Sequence, residues 1–147
     1  MNTMKKRQVN IAIIEDDPYY NLLIELNLKS IAKEGLFEPL ELLFYNFRTG
    51  ESVMNFIDDV RYDIAVLDYF LSIKRGAFAV NGEDILKEMV KRNKECKVLV
   101  VSEQEDLETT VRLLQKGAYV YLQKRDLNVE LLKQIVSKIL IRKYELY

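Results

Sequence analysis

Glu15, Asp16 and Asp17 follow one short apolar run, Val9 to Ile14, and Asp68 follows another, Ile64 to Leu67. Carboxylates crowded where strands run out repel one another unless a cation screens them, and a hard cation such as Mg²⁺ prefers such oxygens. Asp is also a common helix N-cap, favoured by the positive end of the helix, so capping is the competing reading of each acid. Two further apolar runs end in Ser102 and Lys124. A hydroxyl can bond a phosphoryl oxygen and an ammonium can neutralise one as a point charge. Together these types suit transient transfer of a phosphoryl group onto a carboxylate, giving an acyl phosphate. That chemistry needs cations to screen the attacking carboxylate from its anionic donor.

What is missing narrows the chemistry further. The chain has no histidine, which excludes histidine general acid/base catalysis, Ser/His triads and His-ligated zinc. The 147 residues suffice for one domain with a substantial core, and the composition is globular, without low-complexity tracts. A formal charge of -1 gives no overall attraction to nucleic acid or an anionic membrane. The single cysteine, Cys96, cannot form an internal disulfide and is read as a packing residue. The polar, basic start, residues 1–8, leads into too short an apolar run for a signal peptide or membrane span, so a soluble cytoplasmic protein is expected.

To bring the acids, Ser102 and Lys124 together, the chain must place five strand ends side by side. Apolar runs recur at Val9 to Ile14, Leu40 to Tyr45, Ile64 to Leu67, Val98 to Val101 and Ala118 to Leu122. Short runs that are apolar on both faces suit buried parallel strands. Helical spacing falls between them: Tyr19, Leu22, Leu23 and Leu26; Val53, Phe56, Ile57 and Val60; Ile85, Leu86, Met89 and Val90; Leu107, Val111 and Leu114. Ser102-x-x-Glu105 has capping-box form ahead of the fourth helix and Gly117 is its expected stop. Leu131, Leu132, Ile135, Val136, Ile139 and Leu140 form the clearest stripe, with Asn128 as its expected N-cap. Five alternating strand-helix units demand an α/β architecture: a parallel sheet, right-handed crossovers, helices on both faces, and ligands at the carboxyl ends of the strands.

The motifs Ile13-Ile14-Glu15-Asp16-Asp17-Pro18, Asp63-Ile64-Ala65-Val66-Leu67-Asp68, Asn81-Gly82-Glu83, Val100-Val101-Ser102 and Gly117 through Lys124, in that order, resemble the response-regulator receiver domain of two-component signalling. The resemblance implies a flavodoxin-like doubly wound (βα)5 three-layer sandwich with strand order 2-1-3-4-5. It also implies a receiver over residues 9–142, between an N-terminal extension, 1–8, and a tail, 143–147. It makes Asp68 the phosphoacceptor, Asp16 a direct Mg²⁺ ligand, Glu15 a ligand acting mainly through water, and the Phe70 backbone carbonyl a third protein ligand. Ser102 becomes the switch hydroxyl, Tyr121 the aromatic residue that turns inward with it, and Lys124 the partner of the phosphoryl group. Asp17 then falls outside the site, as the cap of a helix with Pro18 in its first turn.

Several positions depart from the family pattern. Asn81 lies thirteen residues after Asp68, a longer interval than usual. The extra residues fall within Ser72 to Val80 and the usual proline soon after the Asp is missing; a partner surface and a tolerated insertion are both open. Arg125 replaces a proline that is often cis, and a cis bond there would cost about 2.5–4 kcal/mol, so a trans peptide or altered loop is expected. Glu103 is bulky where the family is small, and Phe70 and Gln104 stand where acyl-phosphate hydrolysis is tuned.

The expected function is that of a phosphoacceptor rather than an enzyme with separate substrates. A partner phosphohistidine, on a cognate histidine kinase or a histidine phosphotransfer protein, supplies the phosphoryl group. The face formed by the fourth helix, fifth strand and fifth helix then changes its binding to a downstream target or to an output domain outside this chain. Homodimerisation is compatible with this. The alternative is an interaction module that keeps the fold without depending on phosphate. A haloacid-dehalogenase-type phosphohydrolase is disfavoured because Phe70 stands where its second Asp belongs, and a cobalamin domain because no histidine is present.

Overall fold

Each of the five apolar runs is a strand in the computed structural model, which describes residues 5–70, 81–103, 106–124 and 129–147. The chain runs β1 (Arg7–Ile14), α1 (Pro18–Lys29), two 3-10 turns (Ser30–Lys33 and Gly35–Phe37), β2 (Leu40–Phe47), α2 (Gly50–Phe56) and β3 (Ile64–Asp68). It continues through α3 (Gly82–Arg92), β4 (Lys97–Ser102), α4 (Leu107–Gln115), β5 (Ala118–Gln123) and α5 (Val129–Tyr144). The strands are parallel and ordered β2-β1-β3-β4-β5, the expected doubly wound arrangement.

Alternation along the strands divides the interior in two, because successive side chains leave opposite faces of a sheet. Ala12, Ile14, Ala65, Leu67, Val98 and Val100 face α2, α3 and α4, where Val53, Ile57, Ile85, Leu86, Met89 and Leu113 meet them. Ile11, Ile13, Ile64, Val66, Leu99 and Val101 face α1 and α5, against Ile24, Leu28, Leu132, Val136 and Leu140. Burying one such side chain contributes roughly 1.5–3 kcal/mol. The buried thiol of Cys96, its pKa pushed up to about 12 by burial, is a packing residue within the first of these layers.

Two helices turn a different side to the sheet from the one their largest apolar residues suggest. In α1, Tyr19 is 73 % exposed and Leu22 and Leu26 are about half exposed, while Asn21, Ile24 and Leu28 point inward. In α4, Leu107 is 79 % exposed and Val111 and Leu114 lie outward, leaving Thr109 and Leu113 as its buried residues. Ser102 is the last residue of β4 and does not cap α4. That role belongs to Asp106, which accepts hydrogen bonds from the Glu108 N–H at 3.1 Å and the Thr109 hydroxyl at 2.6 Å. Glu105, Asn128 and the Ser72 to Val80 segment lie outside the described residues.

Gly117 ends α4 as expected: its φ is +111°, and a Cβ there would come within 3.0 Å of the Val90 side chain. Both effects disfavour any other residue. Gly117→Ala is expected to lower stability by about 1–3 kcal/mol in chemical denaturation; an unchanged unfolding midpoint would contradict this account of the turn.

Candidate functional site

Parallel pairing sets the strand ends level, and the side chains just past them meet. Asp68 pairs with Val101 and Ser102 with Gln123, so the ends of β3, β4 and β5 form a staircase beside the end of β1. The turn after β1 is pinned from three directions. The Glu15 N–H donates to the Phe47 carbonyl at 3.0 Å. The buried Asn21 amide donates to the Glu15 carbonyl at 3.0 Å and to the Phe47 carbonyl at 3.2 Å, while its own oxygen accepts from the Asn46 amide at 2.6 Å. The turn after β3 is held by Tyr69 N–H to Val101 O, 2.9 Å, and by Phe70 N–H to the Asp68 carboxylate, 3.0 Å. Gly82 is needed beside it, since a Cβ at that position would lie 2.7 Å from the Tyr69 carbonyl oxygen.

Glu15, Asp16 and Asp68 each offer a carboxylate oxygen, and these oxygens lie within 4.8 Å of one another. Glu15 is 2 % exposed and Asp68 6 %. Lys124 reaches them from the end of β5, fixed by its backbone N–H on the Ser102 carbonyl at 2.7 Å. Its ammonium bonds the Glu15 carboxylate and stands 3.5 Å from Asp68. Burial pushes the pKa of Glu15 up to about 8; contact with Asp68 adds to the rise, and Lys124 opposes it without cancelling it. For Lys124, burial disfavours the charge and the two carboxylates outweigh it, leaving its pKa above the ordinary lysine value.

The second Glu15 oxygen, Oε2, is buried and has no hydrogen-bond partner among the described residues. Such an orphaned oxygen is costly. Hard carboxylate donors, one of them unsatisfied, fit a divalent cation, so the acidic cluster can coordinate one.

The remaining sequence candidates take distinct places. Ser102 is fully buried at the end of β4, and Tyr121 is half-buried against the layer under α2, α3 and α4. Phe70 is half exposed, its ring edge-on to Tyr69 at 5.0 Å. Glu103 is exposed directly after Ser102. Asn81 caps α3 through a reciprocal box with Asp84. Asp17 caps α1, accepting from the N–H groups of Tyr19 at 2.9 Å and Tyr20 at 3.4 Å. Gln104 and Arg125, and with Arg125 the question of the Lys124-Arg125 peptide, lie outside the described residues.

Sequence reasoning passed over three residues near the site. Asn21 braces the β1 turn, and Tyr20 places its ring under the Lys124 ammonium, 4.6 Å from Nζ to the ring centroid. Tyr69 accepts a hydrogen bond from Arg112 of α4 at 3.3 Å; Arg112 and Lys116 in turn pair with Glu83 of α3, at 3.4 and 2.6 Å. The signal for Asn21 was its helical register with Ile24 and Leu28, hidden by larger apolar neighbours.

Residues 11–136 match the family model described as the response regulator receiver domain. The chain belongs to that family, whose members are phosphoacceptor modules rather than turnover enzymes. It is 29 % identical over 136 residues to the probable C4-dicarboxylate response regulator DctR of Bacillus subtilis, covering 92 % of this chain and 54 % of DctR. The chain thus spans about half the length of the curated relatives it matches. Among solved structures, the signal receiver domain of a putative Luxo repressor protein from Vibrio parahaemolyticus superposes with a TM-score of 0.73 at 24 % identity, covering 94 % of this chain and 95 % of that one. The Thermotoga maritima response regulator DrrB, an OmpR/PhoB homolog, gives 0.73 at 23 % identity, covering 92 % and 54 %. No helix among the described residues is long and apolar enough to cross a membrane.

Two outcomes follow from the acids. Asp17→Ala is expected to cost about 0.5–2 kcal/mol of stability by loss of the cap while changing divalent-cation affinity less than about threefold, a change worth well under 1 kcal/mol; a large drop in affinity by calorimetry would return Asp17 to the site. The raised pKa of Glu15 favours folding when the residue is protonated, so its contribution is fully present below the unfolded value of 4.5 and is lost as pH rises through about 8. Melting temperature in EDTA should therefore fall between pH 5 and pH 9 on this account. The fall should be smaller in Glu15→Gln and smaller again when Mg²⁺ is added to the wild type.

Proposed function

We propose that this chain accepts a phosphoryl group on Asp68 from a phosphohistidine of a cognate histidine kinase or histidine phosphotransfer protein. The observation that carries the proposal is the Lys124 ammonium, set between a buried Asp68 and a buried Glu15 at the carboxyl ends of the strands. The 147 residues contain no histidine, so the donor histidine lies outside them. An Asp68 carboxylate oxygen forms the new bond to phosphorus as the bond to the imidazole nitrogen breaks, and that nitrogen keeps the electron pair. Lys124 neutralises a phosphoryl oxygen as the charge moves inward, and buried Ser102 is the hydroxyl that bonds another. A Mg²⁺ ion held by Glu15, Asp16, Asp68 and the Phe70 carbonyl would screen the carboxylates from the incoming anion.

The readout we propose is the face of α4, β5 and α5, with Ser102 and Tyr121 linking it to the site. α4 is the less firmly packed of its two helices, with Thr109 and Leu113 buried against four buried apolar residues in α5. Its outward Leu107, Val111 and Leu114 offer apolar surface whose exposure or covering a phosphoryl group can bias. The recipient is a downstream protein or an output domain outside this chain.

Incubation with acetyl phosphate and Mg²⁺ is expected to add one phosphoryl mass to the wild type and none to Asp68→Asn or to wild type in EDTA. Lys124→Ala should slow the addition by about ten- to a hundredfold, the worth of a charge-assisted hydrogen bond. No mass increment on the wild type, or one that survives Asp68→Asn, would sink the proposal and favour an interaction module that works without phosphate.

A further inference from the structure

We infer that Tyr20 is a positioning residue for phosphoryl transfer, acting through Lys124; the inference rests on the phosphoacceptor reading above. The ammonium of Lys124 lies over the face of the Tyr20 ring, 4.6 Å from its centroid, while bonding Glu15 and standing 3.5 Å from Asp68. A cation over an aromatic face is attracted by the ring quadrupole, and more strongly when water is excluded. The Lys124 side chain is only 18 % exposed, so this contact is largely desolvated.

The ring, rather than the hydroxyl, is the working part of Tyr20. Its phenolic oxygen is buried and has no hydrogen-bond partner among the described residues, and burial pushes its pKa up to about 12. A hydroxyl left in that state costs free energy instead of contributing it. The ring itself packs with the apolar layer beneath α1 and α5 and is presented by the first turn of α1, whose N-cap, Asp17, accepts from the Tyr20 N–H. The Lys124 chain therefore has a wall along one side and two carboxylates on the other. Without that wall a lysine with four rotatable bonds would turn toward solvent more often, and fewer molecules would hold Nζ beside the incoming phosphoryl oxygens. The ring acts as a neutral counter-surface: it attracts the ammonium without competing for the charge that must later meet phosphate.

The test uses the whole chain. Tyr20→Leu is expected to slow phosphorylation by acetyl phosphate about three- to thirtyfold, the range that the loss of one cation-π contact spans. Tyr20→Phe, which keeps the ring, is expected to restore the rate to within about twofold of wild type, since Tyr and Phe faces attract a cation comparably. In a Lys124→Met background Tyr20→Leu should cause no further loss. If Tyr20→Leu does not fold, fluorinated phenylalanines at position 20 keep the shape while weakening the ring quadrupole, and the rate should fall stepwise with the number of fluorines. A flat fluorine series, a Phe variant as slow as Leu, or an undiminished Leu effect without Lys124 each overturns the inference. The Lys124 ε-methylene proton shifts give a readout independent of phosphorylation: ring-current displacement present in wild type and Tyr20→Phe and lost in Tyr20→Leu. Its absence in the wild type also overturns the inference, whereas its presence in a wild type that takes no phosphate overturns the phosphoacceptor reading alone and leaves the ring contact standing.

Discussion

Mutual repulsion among Glu15, Asp16 and Asp68, whose oxygens lie within 4.8 Å of one another, is the constraint around which the molecule is arranged. Left alone it would drive the ends of β1 and β3 apart, and low local dielectric would make it worse. The sheet holds them by burial: β3 is buried along its whole length, and β1 along its last four residues. Lys124 offsets part of the charge, but it arrives from β5, two strands away from β3 in the sheet order. Its reach therefore depends on how β3, β4 and β5 pair at their carboxyl ends, beyond the register shift between Val98 and Leu99 in the pairing of β4 with β5.

The backbone around the acids is correspondingly overdetermined. Asn21 and Asn46 brace the turn after β1, while the Phe70 N–H and the close approach of Gly82 brace the turn after β3. Buried amides of this kind are stabilising only when every polar atom is satisfied. The unsatisfied Oε2 of Glu15 contrasts with the bonded backbone groups of the turns on either side of it. The site thus keeps its strain in electrostatics and little of it in the chain.

The central strands were legible in the sequence because they are buried on both faces, so that apolar continuity alone marked Ile64 to Leu67 or Val98 to Val101. The convergence of Glu15, Asp16, Asp68, Ser102 and Lys124 followed from the parallel order of those strands. Helix orientation was less legible. Tyr19, Leu22 and Leu26 outweigh Asn21, Ile24 and Leu28 in size, yet the smaller set faces the sheet. Asn21 points inward because the carbonyls of Glu15 and Phe47 need donors, a demand created by tertiary structure that no local pattern displays. Likewise Ser102 resembled a cap in spacing, but β4 extends through it and Asp106 takes the role.

The unequal fastening of α4 and α5 sets an energy scale. α5 is anchored by Leu132, Val136, Ile139 and Leu140, at roughly 1.5–3 kcal/mol apiece. α4 has Leu113 as its one fully buried large side chain, and its links to Glu83 are partly exposed ion pairs, which water screens. A newly formed charge-assisted hydrogen bond is worth about 1.5–3 kcal/mol. One or two such bonds are commensurate with what holds α4 down and far smaller than what holds α5. The two helices beside β5 therefore differ in mechanical compliance, α4 being the softer joint and α5 the firmer one.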